Sequence, residues 1–253
     1  MPASTAGVLP RLQTAAISAP TGMSSPLSDT YARAVETSAI FETSKQVSNL
    51  VPIGRGTTVV SLSSCFACGT CSQCRASGAA CSSECAGCSR KCSLTNGAHA
   101  VPTDVWVTPS AELLEVCRAF PIDGAILGLQ QWLGLPPNLA QPPDSWKLLF
   151  IRIDDPAELF RPCTESNPTT PGPCTETFPE SATESHRAWM AGQAFASWQL
   201  PGGYPWTRLG YTFNWNPDAA TTVGASEYVI PRGKTVNVLG FERVLDARSA
   251  PSP

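Results

Sequence analysis

Residues 104–134 read DVWVTPSAELLEVCRAFPIDGAILGLQQWLG, and this stretch decides the fold class. Val105, Trp106 and Val107 are β-prone residues in a row, so Asp104 to Thr108 is a predicted strand. Thr108 is placed to cap a helix whose first position is Pro109, where the missing N–H costs nothing. Leu113, Leu114, Val116, Cys117 and Phe120 supply the apolar side of that helix. A second helix follows Pro121, with Ile122, Ala125, Ile126, Leu129, Trp132 and Leu133 near helical spacing, and Leu135-Pro136-Pro137 ends it.

Toward the C-terminus, Trp146 to Ile153 predicts a strand, and Asp155-Pro156 a further helix start. Residues 161–180 read as a Pro/Thr loop with an internal repeat, Pro162-Cys163-Thr164-Glu165 and Pro173-Cys174-Thr175-Glu176. Ser181 and Glu184 have capping-box spacing for a helix carrying His186, Trp189, Met190, Phe195 and Trp198. Leu209, Tyr211, Phe213 and Trp215 alternate as in a half-buried strand. Glu227 to Ile230 and Thr235 to Leu239 flank Pro231-Arg232-Gly233-Lys234 and predict a hairpin. Helices come early and strands late, which predicts an α+β fold: a compact domain over 98–248 with two or three helices and a mostly antiparallel sheet. That domain is expected to fold alone.

Upstream the composition changes. Residues 1–27, rich in Ser, Thr, Ala and Pro, are expected to be disordered, as is the tail 249–253. Residues 28–64 form an arm: one helix over 28–48, capped by Ser28 or Asp29, with Tyr31, Val35, Ile40 and Phe41 on its apolar face, then a β-prone run, Thr57 to Leu62. Residues 65–97 are a largely irregular cysteine-rich segment with Phe66 as its one sizeable apolar side chain, so burial cannot order it.

Eight of the 11 cysteines lie in this segment: Cys65, Cys68, Cys71, Cys74, Cys81, Cys85, Cys88 and Cys92. Cys65/Cys68 and Cys85/Cys88 are pairs with 16 residues between them, a spacing that suits a four-thiolate zinc site; the other four would hold a second ion. An iron–sulfur cluster is the alternative, since Cys65, Cys68 and Cys71 match the start of the bacterial ferredoxin run, although Arg75 stands where its fourth cysteine belongs. Cys81-x3-Cys85-x2-Cys88 resembles the cluster loop of radical S-adenosylmethionine enzymes, but Gly87 stands where those usually carry an aromatic residue. Cysteines among Ser, Gly, Thr and Ala also resemble the core of ribosomally made, post-translationally modified peptides, with the arm as leader.

Seventeen basic and 20 acidic residues give a net charge of -3, which excludes general nucleic-acid binding by charge. No apolar run reaches the roughly 18 residues of a membrane span, and no secretory signal is legible, so the expected compartment is the cytoplasm, with Cys163 and Cys174 reduced.

In the domain, His99 is a loop residue in reach of the cysteine cluster, and His186 a packing or surface residue of its helix. The run Gly202 to Tyr211 allows a pocket wall of Tyr204, Trp206 and Arg208. Residues 104–245 resemble an uncharacterised family of bacterial proteins, through Trp132-Leu133-Gly134-Leu135-Pro136-Pro137, Phe160-Arg161-Pro162-Cys163, Tyr204 to Trp215 and Ser226 to Ile230. Glu227-Tyr228-Val229-Ile230-Pro231-Arg232-Gly233 is similar to the strand-turn that carries the catalytic glutamate of ADP-ribosyltransferases. Ala225 stands where that family often has Glu or Gln, and its Ser-Thr-Ser strand has no clear counterpart.

The expected function is thus non-enzymatic: a metal-binding protein, zinc or iron–sulfur, whose globular domain is a binding or scaffold module for a protein partner. The alternatives are a modified-peptide precursor, whose partner is its modifying enzyme, and an ADP-ribosyltransferase-like enzyme with Arg208 and Glu227 in a cleft.

Overall fold

The computed structural model describes residues 25–63, 97–101, 103–137 and 147–247. The eight cysteines and the expected loose ends fall outside them, except residues 25–27, which open the first helix.

The fold is α+β. Its strands are β1 Thr58–Ser63, β2 Gly97–Ala100, β3 Val105–Pro109, β4 Lys147–Arg152, β5 Tyr211–Phe213, β6 Val223–Ser226, β7 Tyr228–Ile230 and β8 Thr235–Arg243. Its main helices are α1 Pro26–Ser38, α2 Ser110–Ala119, α3 Ala125–Trp132 and α4 Glu184–Ser197. Six strands form one sheet in the order β2-β8-β4-β1-β3-β7, while β5 and β6 pair apart from it. Each of these ladders is antiparallel.

Side-chain oxygens set two helix starts, though not those expected. Ser25 accepts the Ser28 N–H at 3.2 Å, so α1 begins before Ser28 and Asp29; it ends at Ser38, short of residue 48. Thr183, not Ser181, caps α4 by accepting the His186 N–H at 3.2 Å. Thr108 stays in β3, so α2 starts at Ser110 without a side-chain cap.

The segment 28–64, expected as a separable arm, is part of the sheet. β1 runs beside β4 from Thr58↔Arg152 to Ser63↔Lys147 and meets β3 through Val59↔Pro109 and Val60↔Thr108. Its side chains serve both cores. Val59 is buried with Val105, Val107, Leu149, Ile151, Tyr228 and Ile230 on one face of the sheet. Val60 is buried with Leu113, Leu114, Leu129 and Leu148 on the other, under α2 and α3. A domain beginning at residue 98 would lack this interior strand, leaving β3 and β4 without the partner between them.

The expected β7–β8 hairpin does not form. The turn closes, with the Lys234 N–H donating to the Pro231 carbonyl at 3.2 Å, but β7 pairs with β3 while β8 lies between β2 and β4. β2 and β3 are likewise consecutive in the chain and four places apart in the sheet. In a flat sheet that separation is about 19 Å. The steps from Ala100 to Val105 and from Ile230 to Thr235 can span at most roughly 17 Å, and the second is further shortened by its turn. The sheet must curl so that its edges approach. Two hydrogen bonds carry the β2–β8 pairing into the connections: Val101 N–H to the Lys234 carbonyl at 2.8 Å and Gly233 N–H to the Val101 carbonyl at 2.9 Å. His99, expected in a loop, lies in β2 opposite Val236.

The 161–180 loop is pinned to the segment before β1. Leu50 N–H donates to the Pro171 carbonyl at 2.9 Å and Ile53 N–H to the Pro168 carbonyl at 2.8 Å. Cys163 and Cys174 form a disulfide, correcting the expectation of reduced thiols; both are buried beside Leu50, Leu209 and Tyr211. The fully buried Arg161 donates to the Thr170 hydroxyl at 3.2 Å and the Thr170 carbonyl, and packs on the Tyr228 ring. Gly210 has a positive φ of 78°, and a Cβ there would lie 2.6 Å from Arg161 Cδ. The expected half-buried alternation of 209–215 is also corrected. β5 spans Tyr211–Phe213 with all three residues buried, because α1 and the Leu50 segment cover one side and Thr212 turns inward on the other.

Two outcomes test this architecture. Residues 97–253 alone should show no cooperative thermal melt, whereas the full chain should; a matching melt would show that β1 is dispensable. Gly210→Ala should cost more than about 2 kcal/mol in a denaturant titration, since a left-handed backbone and a contact with a buried side chain are both violated.

Candidate functional site

β3 belongs to two ladders in turn. Thr108 and Pro109 face β1, while Val105, Trp106 and Val107 pair with β7. Beyond the Val60↔Thr108 pair, β1 and β3 part. A cavity of about 640 Å³ opens there, on the side of the sheet covered by α2 and α3. Val60, Leu62, Trp106 and Leu113 form its floor; Leu133 and Leu135, Tyr204 and Trp206, and the last turns of α4 close over it. Ser226 and Glu227, where β6 passes into β7, complete the wall.

Backbone contacts fix this wall. The Glu227 N–H donates to the Gly210 carbonyl at 2.9 Å. The Ser226 N–H donates to Glu112 Oε1 at 3.0 Å, and the Ser226 hydroxyl accepts the Val51 N–H at 3.0 Å. Thr212 donates to the Trp132 carbonyl at 2.6 Å and accepts the Ala225 N–H at 2.8 Å. Next to it Gly224 has no room for a side chain, as a Cβ would lie 2.2 Å from the Trp132 carbonyl oxygen.

Against these satisfied groups stand three cavity-wall residues with buried polar atoms that lack partners: Glu227 Oε2, Thr108 Oγ1 and Trp206 Nε1. Buried polar groups are nearly always paired, and such exceptions concentrate at functional sites. As a residue Glu227 is only half-buried, because the cavity reaches part of it, yet its Oε2 is sealed from solvent. Desolvation pushes its carboxyl up to about 8, so it holds its proton at neutral pH. Burial also raises Glu112, whose Oε2 is partnerless behind the wall.

The aromatic side of the cavity continues into the protein. Trp106 and Trp206 flank Trp189, with ring centroids 5.8 and 6.1 Å away, and Trp189 Nε1 donates to Asp104 Oδ2 at 2.7 Å. The other Asp104 oxygen accepts the Arg232 N–H at 2.8 Å. His186 stacks on Trp189 and lies 2.7 Å from the Cys163 carbonyl through Nε2, a buried packing role.

Of the pocket wall expected from sequence, Tyr204 and Trp206 line the cavity and Arg208 does not. Arg208 adopts a φ of 52°, and its guanidinium lies 5.6 Å from the ring centroids of Phe41 and Trp198. The cleft pairing Arg208 with Glu227 is therefore not formed. Sequence reasoning missed Thr108, read as a helix cap, and Trp106, read as a strand residue. The polar residue between two apolar ones of β3 was the available signal.

Metal binding is corrected. Among the described residues no group of three or more His, Cys, Asp or Glu could hold an ion. Cys163 and Cys174 are spent in a disulfide, and sulfur so bonded is not a thiolate ligand. Cys65, Cys68, Cys71, Cys74, Cys81, Cys85, Cys88 and Cys92 themselves lie outside the described residues. No helix among the described residues is long and apolar enough to cross a membrane. No protein-family model matches the chain, and neither a curated protein nor a solved structure matches it.

The raised Glu227 carboxyl has a measurable consequence. The folded state binds its proton more tightly than the unfolded chain, so ionisation opposes folding as pH rises from about 4.5 toward about 8. Over that interval the melting temperature of the native protein should fall more than that of Glu227→Gln. Parallel curves would mean that the carboxyl titrates normally.

Proposed function

We propose that this protein binds a small organic molecule in the cavity between β3, the 204–206 turn and the β6–β7 junction, with Glu227 as the polar anchor. One observation carries the reading: a largely apolar cavity of ligand size has in its wall Glu227, a carboxyl whose Oε2 the protein leaves unpartnered. A few polar groups on an apolar wall orient a ligand, and Glu227 is the ionisable group of this wall whose oxygens are not both engaged.

This reading is favoured over the ADP-ribosyltransferase-like one by charge. No Lys, Arg or His is among the described residues that line the cavity, so nothing there offsets the diphosphate of a dinucleotide. The disulfide favours an oxidising compartment over the cytoplasm expected from sequence.

The test uses the neutral fluorescent probe N-phenyl-1-naphthylamine. Its emission should rise saturably with one site per chain. Leu135→Trp, which fills the cavity, should abolish the rise while leaving the melt cooperative. Absence of a saturable signal with native protein would overturn the reading.

A further inference from the structure

The charges and ring faces around the cavity restrict what it can hold. Its described lining contains two acidic residues, Asp104 and Glu227, and no basic one. Both Asp104 oxygens are engaged, one by the Trp189 indole and one by the Arg232 N–H. Glu227 Oε2 alone among these four carboxyl oxygens is buried without a partner. Four aromatic residues line the same space: Trp106, Trp206, Phe213 and Tyr204, the last 45% exposed. An anionic ligand would meet acidic groups and no compensating cation, at a high desolvation cost. A neutral ligand would use the shape of the cavity and leave the ring faces and the carboxyl unexploited. A cation is attracted by the carboxylate, which accepts a charge-assisted hydrogen bond, and by any indole or phenol face it meets, since such faces carry negative potential.

We infer that the ligand is an organic amine, bound as its ammonium ion against Glu227 with the rings of Trp106, Trp206 and Tyr204 around it. This rests on the small-molecule reading above and narrows it to a ligand class. A neutral amine would take the proton from Glu227 on entry, and an ammonium ion would displace that proton to solvent; either route ends in the same ammonium–carboxylate pair.

Three probes of one shape separate the possibilities: 2-phenylethylamine, 2-phenylethanol and phenylacetate, each titrated calorimetrically into the full chain at neutral pH. The amine should bind about tenfold to a hundredfold more tightly than the alcohol. Phenylacetate should not bind measurably. Glu227→Gln, which keeps the shape of the side chain, should bring amine and alcohol to similar affinity, and Trp106→Leu should weaken the amine more than the alcohol. Equal binding of amine and alcohol to the native protein, or an amine preference that survives in Glu227→Gln, would overturn the amine inference while leaving a ligand cavity standing. If none of the three bound and the naphthylamine probe also failed, the cavity reading itself would fall.

Discussion

Two connections of four residues each constrain the whole molecule. Ala100 to Val105 and Ile230 to Thr235 join strands that are four places apart in the sheet, a distance that short chains cannot cover unless the sheet curls. The curl encloses Val59, Val105, Leu149, Ile151, Tyr228, Ile230 and Val238 on the inner face, and their burial holds it. β3 meets β1 on one edge through Thr108 and Pro109 and β7 on the other through Val105 to Val107. The cavity lies where β1 and β3 are no longer paired.

Around that frame the protein spends its polar groups unevenly. In the 161–180 loop Arg161 is fully buried; its terminal nitrogens are met by Thr170 and by the Tyr228 hydroxyl at 3.3 Å, while its Nε has no partner. The disulfide closes the same loop, and on the loop-entropy account a bridge of this size contributes roughly 2–3 kcal/mol. At the cavity three such unpartnered atoms gather. Glu227, Thr108 and Trp206 each keep a buried polar atom without a partner, although Ser226 and Thr212 beside them are fully tied. Loose packing does not explain that contrast, because the Gly224 and Gly203 backbones there leave no room for a Cβ. The wall is closely packed, and these unpartnered atoms are sealed within it.

The network behind the site links the ligand cavity to the disulfide loop. Trp189 of α4 touches Trp106 and Trp206 on one side and His186 and Phe160 on the other. His186 in turn meets the carbonyl of Cys163. The aromatic wall is therefore positioned by α4, and α4 by the bridged loop. A substrate-cleft pairing of Arg208 with Glu227 has no place in this arrangement, since Arg208 turns toward Phe41 and Trp198.

Much of the local structure follows from the sequence alone. The apolar spacing of Leu113, Leu114 and Cys117 and of Ala125 and Leu129 puts those residues on the buried sides of α2 and α3, because helical periodicity acts within a few turns. The strands around Val105 and Leu149 and the α+β class follow from the same short-range rules. Glu227 and the Tyr204–Trp206 turn stand out in the sequence as unusual residues for their settings. What the sequence could not determine was pairing. β1 reads as the end of an arm because nothing in Thr58 to Ser63 names its partners β3 and β4, which lie 40 to 90 residues further along the chain. The turn at 231–234 reads as a hairpin because its local chemistry is that of a hairpin, and only the competing partners β3, β2 and β4 draw its strands apart. The cavity, the sealed oxygen of Glu227 and the packing of Arg208 against Phe41 and Trp198 depend on contacts between residues far apart in the chain, so only the tertiary structure could decide them.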